Sequence, residues 1–338
     1  MNIMITGGYG FIGSNFIRYW KLKHKDDFIL NVDVLTYAAV KESLVQLEKE
    51  DIKYAFVHAD ICDYDKIEKA VKDYNIDTIV NFAAESHNSY SIINPTVFYH
   101  SNVMGIQNLL EITRKNKTIK RLHHISTCEV YGDLSLDSND AFTEEYPLRG
   151  NSPYNSSKAC GNMAVNAYFR TYGIPVTIST CSNNYGAYQF PEKVIPLFAT
   201  NILQDKPLTL YKESQNRREW LHVTDHCRAI EVILEKGVEG QTYNIGSGVE
   251  KSVEDIAVAV LEHFGKSDDC KKYIESRPSH DRRYLLDCTK IKNQLGWEAQ
   301  VSFDEGISET IEWYANNRKW WENLLDRSPA KENMWDGK

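Results

Sequence analysis

The chain has 338 residues, of which 42% are hydrophobic, and its net charge is −8. This balance argues against nucleic-acid binding, because proteins that bind nucleic acid usually carry a basic stripe that neutralises phosphates. No stretch approaches the roughly eighteen apolar residues of a membrane span, and the seven cysteines are scattered without the spacing of a metal site. We therefore expect a cytoplasmic protein with reduced thiols, no bound metal, and no nucleic-acid or membrane partner.

Short apolar runs alternate with helical patterns through the first half of the chain. The runs predict buried strands at 2–6, 28–33, 54–58, 78–82, 121–126 and 175–180. Apolar residues near a 3.6-residue period predict helices at 14–23, 67–74, 102–115 and 154–172. Strands that alternate with helices form βαβ units, so the pattern predicts an α/β protein with a Rossmann-type, doubly wound parallel sheet.

A glycine-rich turn, TGGYGFIG (6–13), follows the first predicted strand and begins the first helix. Gly7, Gly10 and Gly13 allow a tight turn, close approach of the backbone to a pyrophosphate, and close helix–strand packing. Asp33 ends the next strand, where its carboxylate can accept hydrogen bonds from ribose hydroxyls and would repel a 2′-phosphate. A glycine triplet alone is weak evidence, but in this context it predicts NAD as the cofactor in preference to NADP.

After about residue 186 the pattern changes to helices mixed with short strands, beginning at the loop-like segment NNYGAYQFP (183–191). We interpret residues 1–186 as the NAD-binding domain. Residues 187–338 form a smaller α/β lobe in this interpretation, which closes over the ligand and has segments interleaved with the first domain.

Tyr154 and Lys158 are four residues apart, on one face of a predicted helix. A phenol has a pKa near 10, and a nearby ammonium together with the positive nicotinamide of NAD would lower it, so that Tyr154 can act as a base. The same spacing also occurs in Tyr–Lys pairs on solvated helices, so spacing alone leaves both interpretations open.

With Ser126-Thr127 at the end of a central strand, these motifs resemble the extended short-chain dehydrogenase/reductases. More narrowly, the chain resembles the dTDP-glucose 4,6-dehydratase family. The matching blocks extend from residue 1 to about 315 and include FAAESH (82–87), HHIST-x-EVYG (123–132), SPYNSSKA (152–159), CSNNYGAYQFPEKVIP (181–196), YNIGSG (243–248) and RPSHDRRYLLD (277–287).

The resemblance implies NAD-dependent dehydration of a nucleoside-diphosphate hexose, with dTDP or UDP as the nucleotide. Tyr154, assisted by Lys158 and Thr127, would take the 4-hydroxyl proton while hydride leaves C4 for NAD. Glu129 stands where the family's base removes the C5 proton. Water is then lost from C5 and C6, and hydride returns to C6 to give a 4-keto-6-deoxy sugar.

The chain departs from the family at three places. Cys128 stands where the family has the Asp that acts as the acid, and a thiol is protonated at neutral pH but is a weak donor. Cys128 is therefore either the acid for the C6 hydroxyl or a small filler, with water supplying the proton in the second case. The family's Val-Asp-Arg-Ser is NSYS here (88–91), and its Gly-Asp-Gly turn is KES (212–214).

Two sets of binding residues complete the expected site. The cofactor set is Gly7, Gly10, Phe11, Ile12, Gly13, Asp33, Leu35, Thr36, Asp60, Ile61, Ala83, Ala84, Ser101, Tyr154 and Lys158. The substrate set is Ser86, Thr127, Asn183, Lys193, Arg218, Arg277, His280 and Tyr284. Arg218 resembles the family's pyrophosphate-binding Arg, whose guanidinium fork suits two phosphates.

Other activities would use the same Tyr–Lys–NAD step. A 4-epimerase needs no C5 base, so Glu129 argues against it, and a decarboxylase needs a cation for the sugar carboxylate that the matched blocks do not provide. A 5,6-dehydratase differs only in where the hydride returns, and it stays open. A non-catalytic NAD-binding module would have lost Tyr154, Lys158 or Thr127, and all three are present.

The predicted helices 102–115 and 154–172 carry apolar residues on more than one face, including Met104, Ile106, Met163 and Tyr168. In the family the corresponding helices form a four-helix interface between two subunits. The resemblance therefore implies a homodimer with a hydrophobic interface.

Overall fold

The computed structural model describes residues 1–50, 53–212, 214–276 and 280–329. The strands are β1 (Asn2–Thr6), β2 (Phe28–Asp33), β3 (Tyr54–His58), β4 (Thr78–Asn81), β5 (Arg121–Thr127), β6 (Val176–Cys181), β7 (Asn183–Tyr185), β8 (Leu208–Tyr211), β9 (Arg217–His222), β10 (Thr242–Ile245), β11 (Glu250–Ser252) and β12 (Lys271–Ile274).

The α-helices are α1 (Phe11–Lys23), α2 (Val45–Glu50), α3 (Tyr64–Asp73), α4 (Asn88–Ile93), α5 (Pro95–Tyr99), α6 (Ile106–Lys115), α7 (Pro153–Tyr172), α8 (Val194–Leu203), α9 (Val223–Lys236), α10 (Val253–His263), α11 (Thr289–Leu295), α12 (Phe303–Asn316) and α13 (Arg318–Trp321). A π-helical turn, His100–Gly105, joins α5 to α6. Short 3₁₀ segments occur at Lys41–Ser43, Cys128–Tyr131, Asp268–Cys270 and Glu322–Arg327.

Seven parallel strands form the main sheet in the order β10-β6-β5-β4-β1-β2-β3. This is the strand order of a Rossmann fold with one strand added at the β6 edge. Helices cover both faces of such a sheet, so its central strands are buried along their length rather than on alternate residues only. In β4, for example, all four residues are buried. The predicted doubly wound α/β class is confirmed.

The second half of the chain contributes to both parts of the molecule. Helix α9 packs on α1 and on the face of the main sheet, and β10 pairs with β6. Helices α8, α10 and α12 instead surround a separate apolar cluster beside two small sheets, β11-β9-β7 and β12-β8. Residues 223–245 therefore lie with the first half of the chain, and the smaller lobe is not one continuous segment.

Helices α6 and α7 lie side by side on one face of the sheet and expose part of their apolar surface. Met104 and Met163 are 51% and 61% exposed, whereas the Tyr168 hydroxyl donates to the Glu111 carboxylate at 2.8 Å. Ile106 is instead fully buried in the core, so the apolar residues of these helices lie on more than one face.

All seven cysteines lie within the described ranges, and none of them forms a disulfide. Over the same ranges, the helices are too short or too polar to cross a membrane.

Candidate active site

A cavity of about 380 Å³ opens at the carboxyl ends of the central strands and extends toward the smaller lobe. Ligands in open parallel sheets bind at this edge, where the strand order reverses. Here the reversal lies between β1 and β4, and residues that follow both strands line the cavity. The cavity is therefore the candidate active site.

The glycine-rich turn forms one end of the cavity, between β1 and α1. Gly7 has a φ of +69°, and a side chain there would meet the backbone of Ala83 at 2.7 Å. A Cβ on Gly13 would lie 2.4 Å from the Gly7 carbonyl oxygen. Only backbone fits at Gly7 and Gly13, so the amides at the start of α1 are open to a ligand phosphate, and the cradle fits a dinucleotide pyrophosphate.

Asp33 lies at the end of β2 beside this turn and lines the cavity. Its two carboxylate oxygens accept hydrogen bonds from the backbone N–H groups of Tyr9, at 2.9 Å, and Leu35, at 2.8 Å. Burial raises the pKa of Asp33 above its usual value, and the two backbone hydrogen bonds oppose that rise. The carboxylate is thus fixed where a ribose would lie next to the pyrophosphate.

Most of the expected cofactor residues line this cavity. They are Gly7, Gly10, Phe11, Ile12, Gly13, Asp33, Thr36, Asp60, Ile61, Ala83, Ala84, Ser101, Tyr154 and Lys158. Leu35 is not on the wall; its backbone, with a φ of 59°, orients Asp33 instead.

Tyr154 and Lys158 lie in the first turns of α7, on the wall of the same cavity. The Ser152 side chain caps this helix by accepting a hydrogen bond from the Asn155 N–H at 3.2 Å, and Pro153 occupies its first position. These local signals fix where the helix begins, and hence the direction of Tyr154. Lys158 Nζ donates to the carbonyl of Ile125, which also lines the cavity, at 2.6 Å.

The electrostatics of the pair differ from the sequence expectation in one respect. Burial raises the pKa of Tyr154 well above its usual value, the nearby Glu129 raises it further, and the hydrogen bond with Thr127 lowers it. Burial lowers the pKa of Lys158 to about 8. In the protein alone the phenol therefore stays neutral, and the positive nicotinamide expected beside it would lower this pKa.

Cys128 does not line the cavity, although Thr127 and Glu129 on either side do. Its side chain is fully buried in an apolar cluster with Val130, Phe142 and Leu286. Burial raises the pKa of the thiol well above its usual value, so it stays protonated. Of the two roles left open by the sequence, this position favours the filler.

Glu129 is held at the cavity by a residue that the sequence analysis did not assign. Asn88, the first residue of α4, donates its side-chain N–H to Glu129 Oε2 at 2.7 Å. The same amide lies 3.3 Å from Asn155 Oδ1. The only sequence signal was that Asn88 begins the stretch where the chain departs from the family pattern.

The expected substrate residues divide into two groups. Ser86, Thr127, Asn183 and Lys193 line the cavity, and Lys193 Nζ lies 3.4 Å from the Ser86 carbonyl. This group connects the sheet edge to the start of the smaller lobe.

The second group, which comprises Arg218, His280 and Tyr284, does not line this cavity. Arg218 is 7% exposed, and its guanidinium donates to three backbone carbonyls, those of Arg217, Asp281 and Arg282. It stacks 4.7 Å from the Tyr284 ring, whose hydroxyl donates to the Asp281 carboxylate. His280 accepts from the Asn216 amide at 3.2 Å. Arg277 and the substituted Glu213 lie outside the described residues.

Glu192 is a further cavity residue without a role in the sequence analysis, although it lies in the matched block 181–196. Its carboxylate accepts from the Tyr37 hydroxyl at 2.9 Å and from the Ser328 hydroxyl at 2.6 Å. It thereby ties the loop after β2 and the C-terminal segment to the cavity rim.

Comparison with known proteins places these features in one family. The model of the GDP-mannose 4,6 dehydratase family matches residues 4–310. A dTDP-glucose 4,6-dehydratase of Haemophilus influenzae is 44% identical over 336 residues, which cover 94% of this chain and 98% of the relative.

Two solved structures agree over almost their whole length. The dTDP-glucose 4,6-dehydratase of Bacillus anthracis, in complex with NAD, superposes with a TM-score of 0.90 at 44% identity, over 96% of this chain and 99% of that chain. The enzyme of the same name from Streptomyces venezuelae, also with NAD bound, gives a TM-score of 0.91 at 42% identity, over 96% and 100% of the two chains. These matches confirm the resemblance, and the chain belongs to the dTDP-glucose 4,6-dehydratase family, within the broader group that the GDP-mannose 4,6 dehydratase model describes.

Proposed function

We propose that this protein is an NAD-dependent hydro-lyase that converts a nucleoside-diphosphate hexose to its 4-keto-6-deoxy derivative. The observation that carries the proposal is that Tyr154, Lys158, Thr127 and Glu129 line one cavity with a dinucleotide-binding turn. The relatives at 44% and 42% identity, named 4,6-dehydratases and solved with NAD, support the same reaction and cofactor.

The first step removes the proton of the sugar 4-hydroxyl. Tyr154 takes this proton, while Thr127 donates a hydrogen bond that stabilises the phenolate. Lys158 adds positive charge beneath the site, and at neutral pH it is mostly protonated because its pKa is about 8. Bound NAD supplies the hydride acceptor for C4 and later the hydride donor for C6.

The second step uses Glu129. Once C4 is a ketone, the C5 proton is acidic, and the Glu129 carboxylate removes it as the C6 hydroxyl departs as water. The C6 hydroxyl needs a proton in order to leave as water. Because Cys128 is enclosed in the apolar cluster, we propose that a water molecule or a cavity group donates this proton, and not the thiol. Two different side chains thus serve the oxidation and the elimination.

The 4,6-dehydration is favoured over the other activities on this scaffold. An epimerase would not need Glu129, and the 5,6-dehydration left open by the sequence has no support among the relatives, which are named 4,6-dehydratases at 40–44% identity. We propose dTDP as the nucleotide, since that name recurs among these relatives.

We further propose a cytoplasmic homodimer. The seven unpaired thiols support a reducing compartment. The exposed Met104, in the π-helical turn before α6, and the exposed Met163, on α7, support a subunit interface. The cofactor-binding part would consist of residues 1–186 together with 223–245, and the remaining described residues would bind the nucleotide sugar.

The test is incubation with a panel of nucleoside-diphosphate hexoses, followed by the mass of the product and the absorbance of its 4-ketone. We expect the loss of one water from one nucleotide sugar only. Tyr154→Phe should abolish both the reduction of the cofactor and the loss of water. Glu129→Gln should leave the reduction intact and slow water loss by about 10²–10⁴-fold, the usual scale for a positioned acid–base group. A Glu129→Gln enzyme that dehydrates at the parent rate would refute this mechanism.

A further inference from the structure

Asn88 lies at the junction of two helices and the catalytic strand end. It begins α4, which is capped by the His87 ring accepting from the Tyr90 N–H at 3.2 Å. The Ser91 hydroxyl donates to the Asn88 carbonyl at 2.6 Å and secures the first turn. The backbone under Asn88 is therefore fixed, and its side chain extends to Glu129 across 41 residues of sequence.

The Asn88 amide is held from a second side by α7. Asn155, next to Tyr154, is fully buried, and its Oδ1 lies 3.3 Å from Asn88 Nδ2. The Asn155 amide nitrogen in turn lies 3.5 Å from the Asp281 carboxylate, at the outer limit of a hydrogen bond. Since Asn155 directs its oxygen toward Asn88, the Asn88 side chain presents its N–H groups, and not its carbonyl, to Glu129 and Asn155.

This contact cannot form in the family pattern, in which a Val occupies the position of Asn88. The same pattern has an Asp where this chain has Cys128, next to Glu129. Relative to the family pattern, the polar Asp next to Glu129 is therefore replaced by the enclosed thiol of Cys128. The apolar Val is replaced by Asn88, whose amide donates to Glu129.

We propose that Asn88 is a positioning residue for the elimination: its amide holds the Glu129 carboxylate in the orientation that removes the C5 proton. The proposal rests on the proposed function, because Glu129 is the C5 base only in that reaction. A hydrogen bond from a neutral amide restricts rotation of the carboxylate and favours its charged form over its protonated form. Asn88 therefore acts on the rate of elimination and on its pH dependence, and not on the oxidation at C4.

Among the described residues, the charge of Glu129 raises the pKa of four titratable groups on neighbouring elements: Cys128, Tyr154, Cys181 and Tyr284. Burial is the largest effect on each of the four and raises its pKa, so all four are neutral in the resting protein near neutral pH.

The experiment compares Asn88→Val, Asn88→Asp and a matched control, Asn94→Val, in single turnovers of the NAD-loaded enzyme. Asn94 is the C-cap residue of the same helix, and its amide donates to the Tyr90 hydroxyl at 3.2 Å. Two rates are followed across pH 5 to 9: the appearance of reduced cofactor, and the loss of water in quenched samples, measured by mass.

For Asn88→Val we expect cofactor reduction within about twofold of the parent, because Tyr154 and Lys158 are unchanged. We expect water loss to slow by about 10- to 100-fold, the scale of one hydrogen bond to a charged group. The pH below which the rate of water loss declines, called the acidic limb of its pH profile, should also move up, because Glu129 loses a hydrogen bond that favours its charged form. Asn88→Asp has the same size but places a like charge beside Glu129, so its acidic limb should move further up. Asn94→Val should match the parent in both rates.

Each outcome decides the question. If either Asn88 variant loses water at the parent rate with an unmoved pH profile, the positioning role is wrong. Equal slowing of both rates, with no shift in pH dependence, would assign Asn88 a merely structural role and would also overturn the proposal. Failure of the proposed function looks different, because the parent enzyme itself would then reduce no cofactor with any nucleotide sugar. Thermal melting identifies a variant that does not fold, and the isosteric Asn88→Asp then decides alone.

Discussion

Replacement of Cys128 by Ala tests whether the thiol takes part in the elimination or only fills space. The side chain is fully buried among Val130, Phe142 and Leu286, and it does not line the cavity. Loss of the sulfur removes one buried heavy atom, which we expect to cost about 1 kcal/mol in the free energy of unfolding. For a chain of this length the unfolding entropy is about 0.7 kcal/mol per kelvin, so the melting temperature should fall by about 1–2 °C.

The assay is a single turnover that follows both cofactor reduction and water loss. We expect both rates in Cys128→Ala to stay within about twofold of the parent. Cys128→Asp, which restores the residue of the family pattern, should place a carboxyl group in the apolar cluster. Burial should raise the pKa of this carboxyl, and a rise of about two units corresponds to about 2.7 kcal/mol.

The sign of this effect follows from proton binding. A carboxyl whose pKa is raised in the folded state binds its proton more tightly there than in the unfolded chain. Cys128→Asp should therefore be most stable at acid pH and lose stability as pH rises from the unfolded pKa, near 3.9, to the folded one. If Cys128→Ala accumulates reduced cofactor and loses water slowly, the thiol reaches the substrate and the inference from its burial is wrong.

Three further results are expected. Burial raises the pKa of Glu219 from 4.5 to about 7, so the free energy of unfolding should fall between those pH values by about 3 kcal/mol more in the parent than in Glu219→Gln. Urea unfolding at several pH values measures this, and an equal fall in the two proteins would contradict it. Met104→Glu with Met163→Glu should give a monomer in light scattering, and a dimer that persists would place the interface elsewhere. Asp33→Ala should narrow the preference for NAD over NADP in binding titrations, whereas an unchanged ratio would remove Asp33 from the ribose site.

Local chemistry explains what the sequence could predict. The glycine turn, the start of α7 at Pro153 and the bounds of β1, β2 and β3 depend on residues within a few positions of each other, and each was predicted within a few residues. The cofactor end of the cavity follows from the same features, because the ends of parallel strands meet at one edge of the sheet.

The parts that escaped prediction depend on contacts between distant segments. The hydrogen bond from Asn88 to Glu129 joins α4 to the end of β5, and no spacing rule relates the two. The predicted helix 102–115 begins inside a π-helical turn, His100–Gly105, and a 3.6-residue apolar period does not indicate such a turn. The sequence left Cys128 as either an acid or a filler, because the sequence alone does not tell whether a residue at a strand end faces a cavity or the core.

The return of residues 223–245 to the main sheet also governs the order in which the chain can fold during synthesis. Until β10 has left the ribosome, β6 is an open edge strand of the parallel sheet, and open edges invite pairing with other chains. The face of α1 that α9 covers is also bare until then. The dinucleotide-binding part therefore cannot complete its core until β10 ends at Ile245, 87 residues (245 − 158) after Lys158, the last of its catalytic side chains. Nascent chains of intermediate length are the stage most exposed to aggregation.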